Sequence, residues 1–207
     1  DIPEGGPPFS QKTVVVCNQK GGVGKSTVTK ELAIALTCLS IQKGEQLYRP
    51  KVCLCDLDLD SSDMASLLNL PAEPNIKHWA EDIEKQAARE KKKMETIRFT
   101  EWDIKQNYLQ KHDSGLYILT APENKTDGLQ VSREVIIAVL ENLRLCDFDI
   151  VIVDTGSNIF DYTIAAILKA TVILALSTCD VVSAKRIDGV LEDILLGIDG
   201  FDKSKMK

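Results

Sequence analysis

Residues 19–27 read QKGGVGKST, a glycine-rich segment that lies between an apolar run at 13–17 and a helical pattern that continues through 31–36. Glycines allow backbone N–H groups to curl round an anion, because a Cβ atom would block the close approach. The first amides of the following helix add unpaired N–H groups and the positive end of the helix dipole. A strand, a glycine-rich turn and a helix in this order are typical of a phosphate-binding loop. The segment therefore indicates a site for the phosphates of a nucleotide.

Two side chains of this segment suit a magnesium-bound nucleotide. Lys25 supplies a point charge for the β- and γ-phosphates, and Ser26 supplies a hydroxyl for Mg²⁺. The alternative is a turn that merely joins a strand to a helix, and the Gly-Lys-Ser-Thr order with its flanking elements weighs against it. The residues predicted to contact the nucleotide are Gly21, Gly22, Val23, Gly24, Lys25, Ser26 and Thr27.

One position departs from the general phosphate-loop pattern G-x-x-x-x-G-K-[ST], which requires a glycine at position 19. The chain has Gln19 there, followed by a second lysine, Lys20, directly before the glycine pair. The form KGGVGKST resembles the deviant Walker A box of the ParA/MinD family of P-loop ATPases. The resemblance implies that the nucleotide is ATP and that a homodimer sandwiches it at the interface. It also implies that Lys20 acts as a catalytic residue by reaching across to the partner's nucleotide.

A group of aspartates follows the strand pattern that begins at Val52. Strand alternation places Asp56 and Asp58 on one side, where neighbouring carboxylates are costly without a cation. An acidic loop in water and a magnesium–nucleotide site both explain this segment, and the phosphate loop favours the second. In the ParA/MinD family the second aspartate of D-x-D positions the attacking water. The resemblance assigns that catalytic role, and a place at the metal site, to Asp58.

Two passages resemble one branch of that family. Residues 58–61 read DLDS, which is closer to the D-L-D-L-x-x-x-D run of the TadZ/CpaE pilus-assembly branch than to the D-P-Q-G-N of most ParA members. Residues 112–122 follow the pattern H-x-S-G-L-x-I-L-x-A-P, which is also similar to that branch. A strand and a proline turn alone are not diagnostic, so this second likeness only adds to the first.

A third segment, residues 148–156, reads FDIVIVDTG. A continuous apolar run that ends in aspartate is typical of a buried parallel strand whose carboxylate emerges at the ligand edge of the sheet. At this distance after a phosphate loop, the run indicates a Walker B strand. We expect Asp154 to orient the Mg²⁺ shell and Gly156 to offer its backbone N–H to the γ-phosphate.

Strand and helix patterns alternate along the chain, which predicts an α/β fold with a mostly parallel sheet and helices on both faces. By resemblance this is a P-loop NTPase of the deviant Walker A type. The pattern predicts a first helix over 26–42, stopped by Gly44, and a last helix over about 181–196. Trp79 and Trp102 are expected to be core or interface anchors.

The length of 207 residues suits one domain with a sizeable core. Residues 1–11 are rich in proline and glycine and are predicted to be a linker, with the ATPase domain over 12–207. The family has a further strand carrying an Asn that reads the base. That strand is absent, so we expect a domain truncated at its C-terminus, and the linker leaves an upstream domain open. Adenine specificity follows from the resemblance alone.

Composition counts against several classes of protein. The net charge of -6 and the pI near 5.1 do not suit a protein that coats nucleic acid. No apolar run approaches the ~20 residues of a membrane span, and no secretory signal opens the chain. The six cysteines form no C-x-x-C pair and most lie in apolar runs, which favours reduced, buried thiols and a cytoplasmic protein over a metal site.

Together these observations predict a dimerising ATPase, dependent on Mg²⁺ and ATP, that acts as a slow spatial switch. The resemblance favours the positioning of a pilus or secretion assembly, with a protein partner that recruits the ATPase to the membrane or the cell pole. A ParA-like partition ATPase, a MinD-like division-site ATPase and a scaffold that holds ATP with little turnover are the alternatives. A reductase of the nitrogenase iron-protein type is disfavoured, because residues 154–158 contain no cluster cysteine.

Overall fold

A computed structural model of the chain describes residues 10–18, 21–178 and 203–205. Within these ranges the strands are β1 (Lys12–Cys17), β2 (Ile41–Lys43), β3 (Gln46–Tyr48), β4 (Val52–Leu57), β5 (Gln110–Lys111), β6 (Tyr117–Leu119), β7 (Ile150–Thr155) and β8 (Val172–Ala175). The α-helices are α1 (Lys25–Cys38), α2 (Met64–Leu67), α3 (Ile76–Glu90), α4 (Glu101–Asn107), α5 (Lys125–Gly128), α6 (Arg133–Leu145) and α7 (Asp161–Lys169). Short 3-10 helices lie at Met94–Thr96 and Lys203–Lys205.

The described strands form a six-stranded sheet in the order β5-β6-β4-β7-β1-β8 and a separate β2-β3 hairpin. Pairings among β6, β4, β7, β1 and β8 are parallel, and only the edge strand β5 runs antiparallel to its neighbour. The carboxyl ends of β1, β4 and β7 therefore meet at one edge of the sheet. The predicted α/β fold with a mostly parallel sheet is confirmed.

The apolar runs of β4 and β7 are continuous because both strands are buried along their whole length. Cys53 and Cys55 of β4 face a core that includes Trp79 of α3 and residues of α6 and α7. Val52 and Leu54, the alternate residues, face a second core with α1 and α2. Helices thus cover both faces of the sheet, as the alternation predicts.

The first helix is shorter than the sequence pattern predicts. It ends at Cys38, because Leu39 adopts an extended backbone with φ -62° and ψ 145°. Residues 41–48 then form the β2-β3 hairpin, and Gly44 lies in its turn at φ +60°, so this glycine does not stop a helix. The apolar residues of 39–42 belong to this connection rather than to a last helical turn.

The two tryptophans have different surroundings. Trp79 is fully buried and stacks on Tyr108, with the ring centroids 5.0 Å apart. Trp102 is 69% exposed on α4, so its prediction as a core residue is wrong and its role as an interface anchor stays a prediction. The expected last helix, over about 181–196, lies outside the described residues.

The cysteines only partly follow the prediction of buried thiols. Cys53, Cys55 and Cys146 are buried, and burial raises the pKa of Cys146 to about 12. Cys17 is half-buried and Cys38 is exposed, while Cys179 lies outside the described residues. Among the described helices, none is both long enough and apolar enough to cross a membrane.

Candidate functional site

The loops that follow β1, β4 and β7 enclose a cavity of about 400 Å³ at the carboxyl edge of the sheet. This is the edge at which open parallel sheets bind ligands. The lining residues are Gly21, Gly22, Val23, Gly24, Lys25, Ser26, Thr27, Asp58, Ser61, Asp63, Leu67 and Ser157. All seven residues predicted to contact a nucleotide in the glycine-rich segment therefore line one cavity with Asp58.

The glycine-rich segment has the backbone that the sequence pattern predicts. Gly22 and Gly24 have φ of +77° and +82°, a left-handed conformation that residues with a Cβ rarely adopt. Gly24 caps α1, and the first turn of that helix contains no acidic residue. The opening amides of α1 thus face the cavity with no carboxylate of that turn beside them, which suits an anion.

Lys25, the first residue of α1, is buried and faces the end of β7. Its side chain is 6% exposed, and its Nζ lies 3.7 Å from Oδ1 of Asp154, which is 1% exposed. The pair joins the glycine-rich segment to the carboxyl end of β7. The Lys25 ammonium is therefore held at the wall of the cavity and is shielded from bulk water.

Asp154 has a hydrogen-bonding deficit. Its Oδ1 accepts from the Thr29 hydroxyl at 3.1 Å, and that hydroxyl also donates to the Lys25 carbonyl at 2.9 Å. Its Oδ2 is buried and accepts no hydrogen bond among the residues that the structure describes. Burial raises the pKa of Asp154, and the charge of Lys25 together with the hydroxyls of Ser26 and Thr29 offsets this only in part. A carboxylate oxygen in this state can accept from a ligand or bind a cation.

Asp56 and Asp58, which the sequence places together, lie in different surroundings. Asp56 is fully buried and accepts from the Asp58 amide at 3.0 Å, the Ala121 amide at 3.4 Å and the Ser62 hydroxyl. Burial, followed by the charge of Asp154, raises the pKa of Asp56 to about 7. Asp56 is thus an anchor for the chain after β4 and does not line the cavity.

Asp58 lies in the turn that follows β4. Its Oδ1 accepts from the Ser61 amide at 3.3 Å, and the side chain is partly exposed to the cavity. The Ser62 hydroxyl accepts from the Met64 amide at 3.0 Å, two residues before α2 begins at Met64. The same hydroxyl donates to Asp56, which no local pattern indicated.

Gly156 brings the chain after β7 against Asp58. A Cβ atom at Gly156 would lie 3.0 Å from Asp58 Oδ1, so a side chain there would push the carboxylate aside. The preceding Thr155 hydroxyl donates to the Val16 carbonyl at 3.0 Å and fixes the end of β7 against β1. The three predicted segments therefore converge, and Gly156 is buried beside Asp58.

Sequence reasoning missed several residues of the site. Thr29 lies one helical turn after Lys25, and this spacing is the signal that would have placed it beside Asp154. Ser61, Asp63, Leu67 and Ser157 reach the cavity only through the tertiary fold. Gln19 and Lys20 lie outside the described residues, so the role of Lys20 stays a prediction.

The described residues contain no group of three or more His, Cys, Asp and Glu side chains that could hold a metal ion. Ser26 and Asp58 nevertheless line the cavity, and Asp154 lies beside Lys25 at the same edge of the sheet. Among the described residues, Asp154 Oδ2 has no hydrogen-bond partner. Mg²⁺ is usually held by one or two carboxylates together with water and substrate phosphates. The side chains present therefore fit a magnesium ion that arrives with a phosphate ligand.

Solved structures of three proteins resemble this one in fold. A ParA family ATPase from Chlorobium tepidum TLS is 14% identical with a TM-score of 0.70, and the match covers 96% of this chain and 72% of that chain. The septum site-determining protein MinD with Mg-ADP from Pyrococcus horikoshii OT3 is 16% identical with a TM-score of 0.65, and the match covers 95% of this chain and 74% of that chain. Cobyrinic acid a,c-diamide synthase from Mycobacterium smegmatis with an ATP analog and magnesium is 20% identical with a TM-score of 0.64, and the match covers 95% of this chain and 72% of that chain. The sheet and its helices thus have the ParA/MinD P-loop NTPase fold.

A search of curated proteins gave no match. The model of the family AAA_31, described as an AAA domain, matches residues 11–204. Because this match runs from the start of β1 to beyond the last strand described, and the glycine-rich loop and the Asp154 strand lie within it, the chain belongs to the AAA_31 family of AAA domains.

Proposed function

We propose that this chain binds Mg-ATP in the cavity beside the glycine-rich segment and hydrolyses it slowly. The observation that carries the proposal is the buried Lys25–Asp154 pair, in which Asp154 Oδ2 has no partner among the described residues. A carboxylate left in this state is costly unless a ligand completes its contacts. The ATP analog and magnesium in the M. smegmatis structure, and the Mg-ADP in the MinD structure, support the choice of ligand.

The glycine-rich segment and three oxygen-bearing side chains have separate parts in binding. The amides of 21–27 and Lys25 hold the phosphates, and the left-handed Gly22 and Gly24 give the loop the curvature that this requires. Ser26, Asp58 and Asp154 supply the oxygen atoms for the magnesium site. Magnesium, when bound, would neutralise negative charge on the phosphates.

The hydrolytic step needs a water molecule placed in line with the γ-phosphate. Asp58 is suited to hold that water, because it is partly exposed in the cavity and its position is fixed by the Ser61 amide and by Gly156. The Gly156 amide is proposed to donate to the γ-phosphate. Thr29 and Lys25 keep Asp154 oriented throughout. These roles use positioning and charge, which dominate phosphoryl transfer.

Turnover is proposed to depend on a homodimer with ATP at the interface, in which Lys20 of one subunit reaches the nucleotide of the other. Unassisted P-loop hydrolysis is on the order of 10⁻⁴ s⁻¹, and a cation supplied in trans adds about 10³–10⁵-fold. An ATPase that is slow until it dimerises is suited to a timer rather than to metabolic turnover.

The cellular role that we propose is the positioning of a pilus or secretion assembly through a protein partner. The support is the resemblance of residues 58–61 and 112–122 to the TadZ/CpaE branch, together with the net charge of -6, which counts against DNA partition. A fluorescent fusion expressed in the source cell is expected to collect at the cell pole or at the assembly. A fusion that follows the nucleoid would favour partition, and one that follows the division site would favour a MinD-like role.

Light scattering tests the biochemical proposal directly. The full chain is measured with ADP, with Mg-ATP, and with Mg-ATP on the variants Asp58→Ala and Lys20→Ala. We expect Asp58→Ala to accumulate as a dimer with Mg-ATP only, because binding persists while hydrolysis stops, and Lys20→Ala to remain monomeric. Asp113→Ala, an exposed turn residue before β6, is the matched control and should behave as the wild type.

Two results would contradict parts of the proposal. If calorimetric titration detects no binding of Mg-ATP, the nucleotide site itself is wrong. If ATP binds but the molecular mass does not depend on nucleotide in any variant, the dimeric switch is wrong and a scaffold that holds ATP takes its place.

A further inference from the structure

The segment that carries Asp58 is joined to its neighbours by Asp60. Oδ2 of Asp60 accepts from the side-chain amide of Asn158 at 3.3 Å, and Oδ1 pairs with the Lys125 ammonium at the start of α5. Asp60 is 21% exposed, whereas Lys125 is 60% exposed. Both contacts lie near the protein surface, and the Asn158 hydrogen bond is the one that links residues 58–62 to the chain after β7.

The two segments that Asp60 joins also touch at the cavity. Asn158 follows shortly after Gly156, where a Cβ atom would lie 3.0 Å from Asp58 Oδ1. On the other side, a Cβ atom at Gly128 would lie 2.0 Å from the Leu59 carbonyl oxygen, so α5 presses against the same segment. Residues 58–62 are therefore held between the chain after β7 and α5, and Asp60 is the side chain that bonds to both.

The contacts of Asp60 differ in kind from those of Asp56. Asp56 is fully buried and fixes the start of segment 58–62, next to β4. It does so by accepting from the Asp58 amide, the Ser62 hydroxyl and the Ala121 amide. Asp60 instead lies at the surface end of the segment and bonds to the chain that follows β7. A displacement of Asn158 would thus reach Asp58 through Asp60, while Asp56 keeps its own contacts.

We propose that Asp60 is a positioning residue that couples the chain after β7 to Asp58 through its hydrogen bond with Asn158. This rests on the proposed function, in which Asp58 holds the attacking water and the Gly156 amide contacts the γ-phosphate. The bond with Asn158 makes the two segments move together, so that Asp58 takes its hydrolytic position when the Gly156 segment is in place. Asp60 itself does not touch the reacting atoms.

The test compares the full wild-type chain with Asp60→Ala, which removes the acceptor, with Asn158→Asp, which removes the donor, and with the double variant Asp60→Asn/Asn158→Asp, in which donor and acceptor exchange places. Single-turnover hydrolysis and the Kd for Mg-ATP are measured for each. We expect each single variant to hydrolyse about 3–10-fold more slowly, the cost of one hydrogen bond that sets geometry, with a Kd within about twofold of wild type. The double variant should recover to within about twofold of the wild-type rate, because the bond is restored with reversed polarity.

Asp127→Asn is the matched control. Asp127 lies on α5, is 27% exposed and pairs with Lys77, so its loss removes an ion pair of similar exposure that does not involve residues 58–62. We expect the wild-type rate and Kd. If Asp60→Ala hydrolyses at the wild-type rate, if it loses affinity in proportion to rate, or if the double variant is as slow as Asn158→Asp, the proposal is overturned.

Hydrogen exchange without nucleotide separates this proposal from the proposed function. Asp60→Ala and Asn158→Asp should each raise amide exchange about 3–10-fold in both segments 58–62 and 156–160, and the double variant should reverse the rise in both. If the wild type does not hydrolyse ATP but exchange changes in this way, the proposed function fails and the coupling by Asp60 holds. If exchange rises in one segment only, the coupling is wrong whatever the ATPase measurements show.

Discussion

Buried aspartates lie at both ends of β7, and the protein satisfies them differently. Asp149, which precedes the strand, is 2% exposed, and Asp154, near its carboxyl end, is 1% exposed. Asp149 accepts from the Tyr48 hydroxyl at 2.7 and 2.6 Å and from the Lys51 amide at 2.6 Å. Asp154 accepts from Thr29, lies 3.7 Å from the Lys25 ammonium, and has one oxygen with no partner among the described residues.

Burial alone therefore does not identify a functional carboxylate. Both residues lose their water, and a buried charge is stable only when donors or cations replace it. The protein supplies those donors to Asp149, which ties the β2-β3 hairpin to the amino end of the sheet. At Asp154, one carboxylate oxygen has no such donor among the described residues. Asp149 is therefore a structural residue, and Asp154 has capacity for a ligand.

The largest effect on stability is expected at the structural end. Asp149→Ala should lower the free energy of unfolding by about 2–4 kcal/mol, because the Tyr48 hydroxyl and the Lys51 amide both lose a charged acceptor. Urea denaturation measures this loss. The affinity for Mg-ATP should change little, since Asp149 lies at the opposite edge of the sheet from the cavity.

Asp147→Ala is the matched control for this prediction. Asp147 is 44% exposed and pairs with Lys51 and Lys105, so its removal should cost at most about 1 kcal/mol. Equal losses in the two variants would show that the hydrogen bonds of Asp149 do not carry the stability of the amino end.

Asp154→Asn should give the opposite result. The raised pKa of Asp154, despite the nearby Lys25, means that folding does not favour its charged form. We therefore expect the nucleotide-free variant to be as stable as the wild type or slightly more stable. Its apparent affinity for Mg²⁺ in the presence of ATP should fall by about 10–100-fold, as is usual when a group that orients a metal shell is lost.

Calorimetric titration of ATP with and without Mg²⁺ measures this effect, and urea denaturation measures the stability. If the affinity for ATP depends on Mg²⁺ in Asp154→Asn as it does in the wild type, Asp154 is not part of the metal site. A loss of stability as large as that of Asp149→Ala would show that the two ends of β7 do not differ as the structure indicates.

The sequence predicted Asp154 but not Asp149, although both belong to the same run, FDIVIVDTG. Local order explains the success, since an apolar strand followed by Asp-Thr-Gly recurs where a carboxylate meets a ligand. The role of Asp149 depends on Tyr48, which lies 101 residues earlier and reaches it only through the β2-β3 hairpin, which the sequence pattern did not predict. Long-range partners of this kind leave no periodic signal.

The same distinction holds for the rest of the fold. The parallel sheet, the glycine-rich loop and the buried strands follow from patterns that are local to each element. The short β5 and the exposure of Trp102 do not, because a two-residue edge strand and the outward face of a short helix are set by packing. The contacts of Asp56 and Asp60 also depend on chain segments far away in sequence. Strand alternation therefore placed Asp56 with Asp58, although Asp56 does not line the cavity.

The smallest expected effect is the pH dependence of stability, which should arise at the carboxyl end of the sheet. Asp56, opposite Asp154 in the β4-β7 register, has its pKa raised to about 7 by burial. A carboxyl group with a raised folded-state pKa binds its proton more tightly when folded, so its contribution is present at low pH and is lost as pH rises through 7. Nucleotide-free protein should therefore gain about 1 kcal/mol of unfolding free energy between about pH 8 and about pH 6.

Asp56→Asn should remove most of this dependence, because the amide keeps an oxygen for the Asp58 amide but cannot titrate. Urea denaturation across that pH range, with Asp147→Asn as the control, measures the two slopes. Equal slopes in Asp56→Asn and the wild type would assign the pH dependence to other groups. A flat Asp56→Asn profile, with the wild-type slope kept in the control, would assign the pH dependence to Asp56. Its carboxylate lies opposite Asp154, whose charge adds to the cost of ionising it.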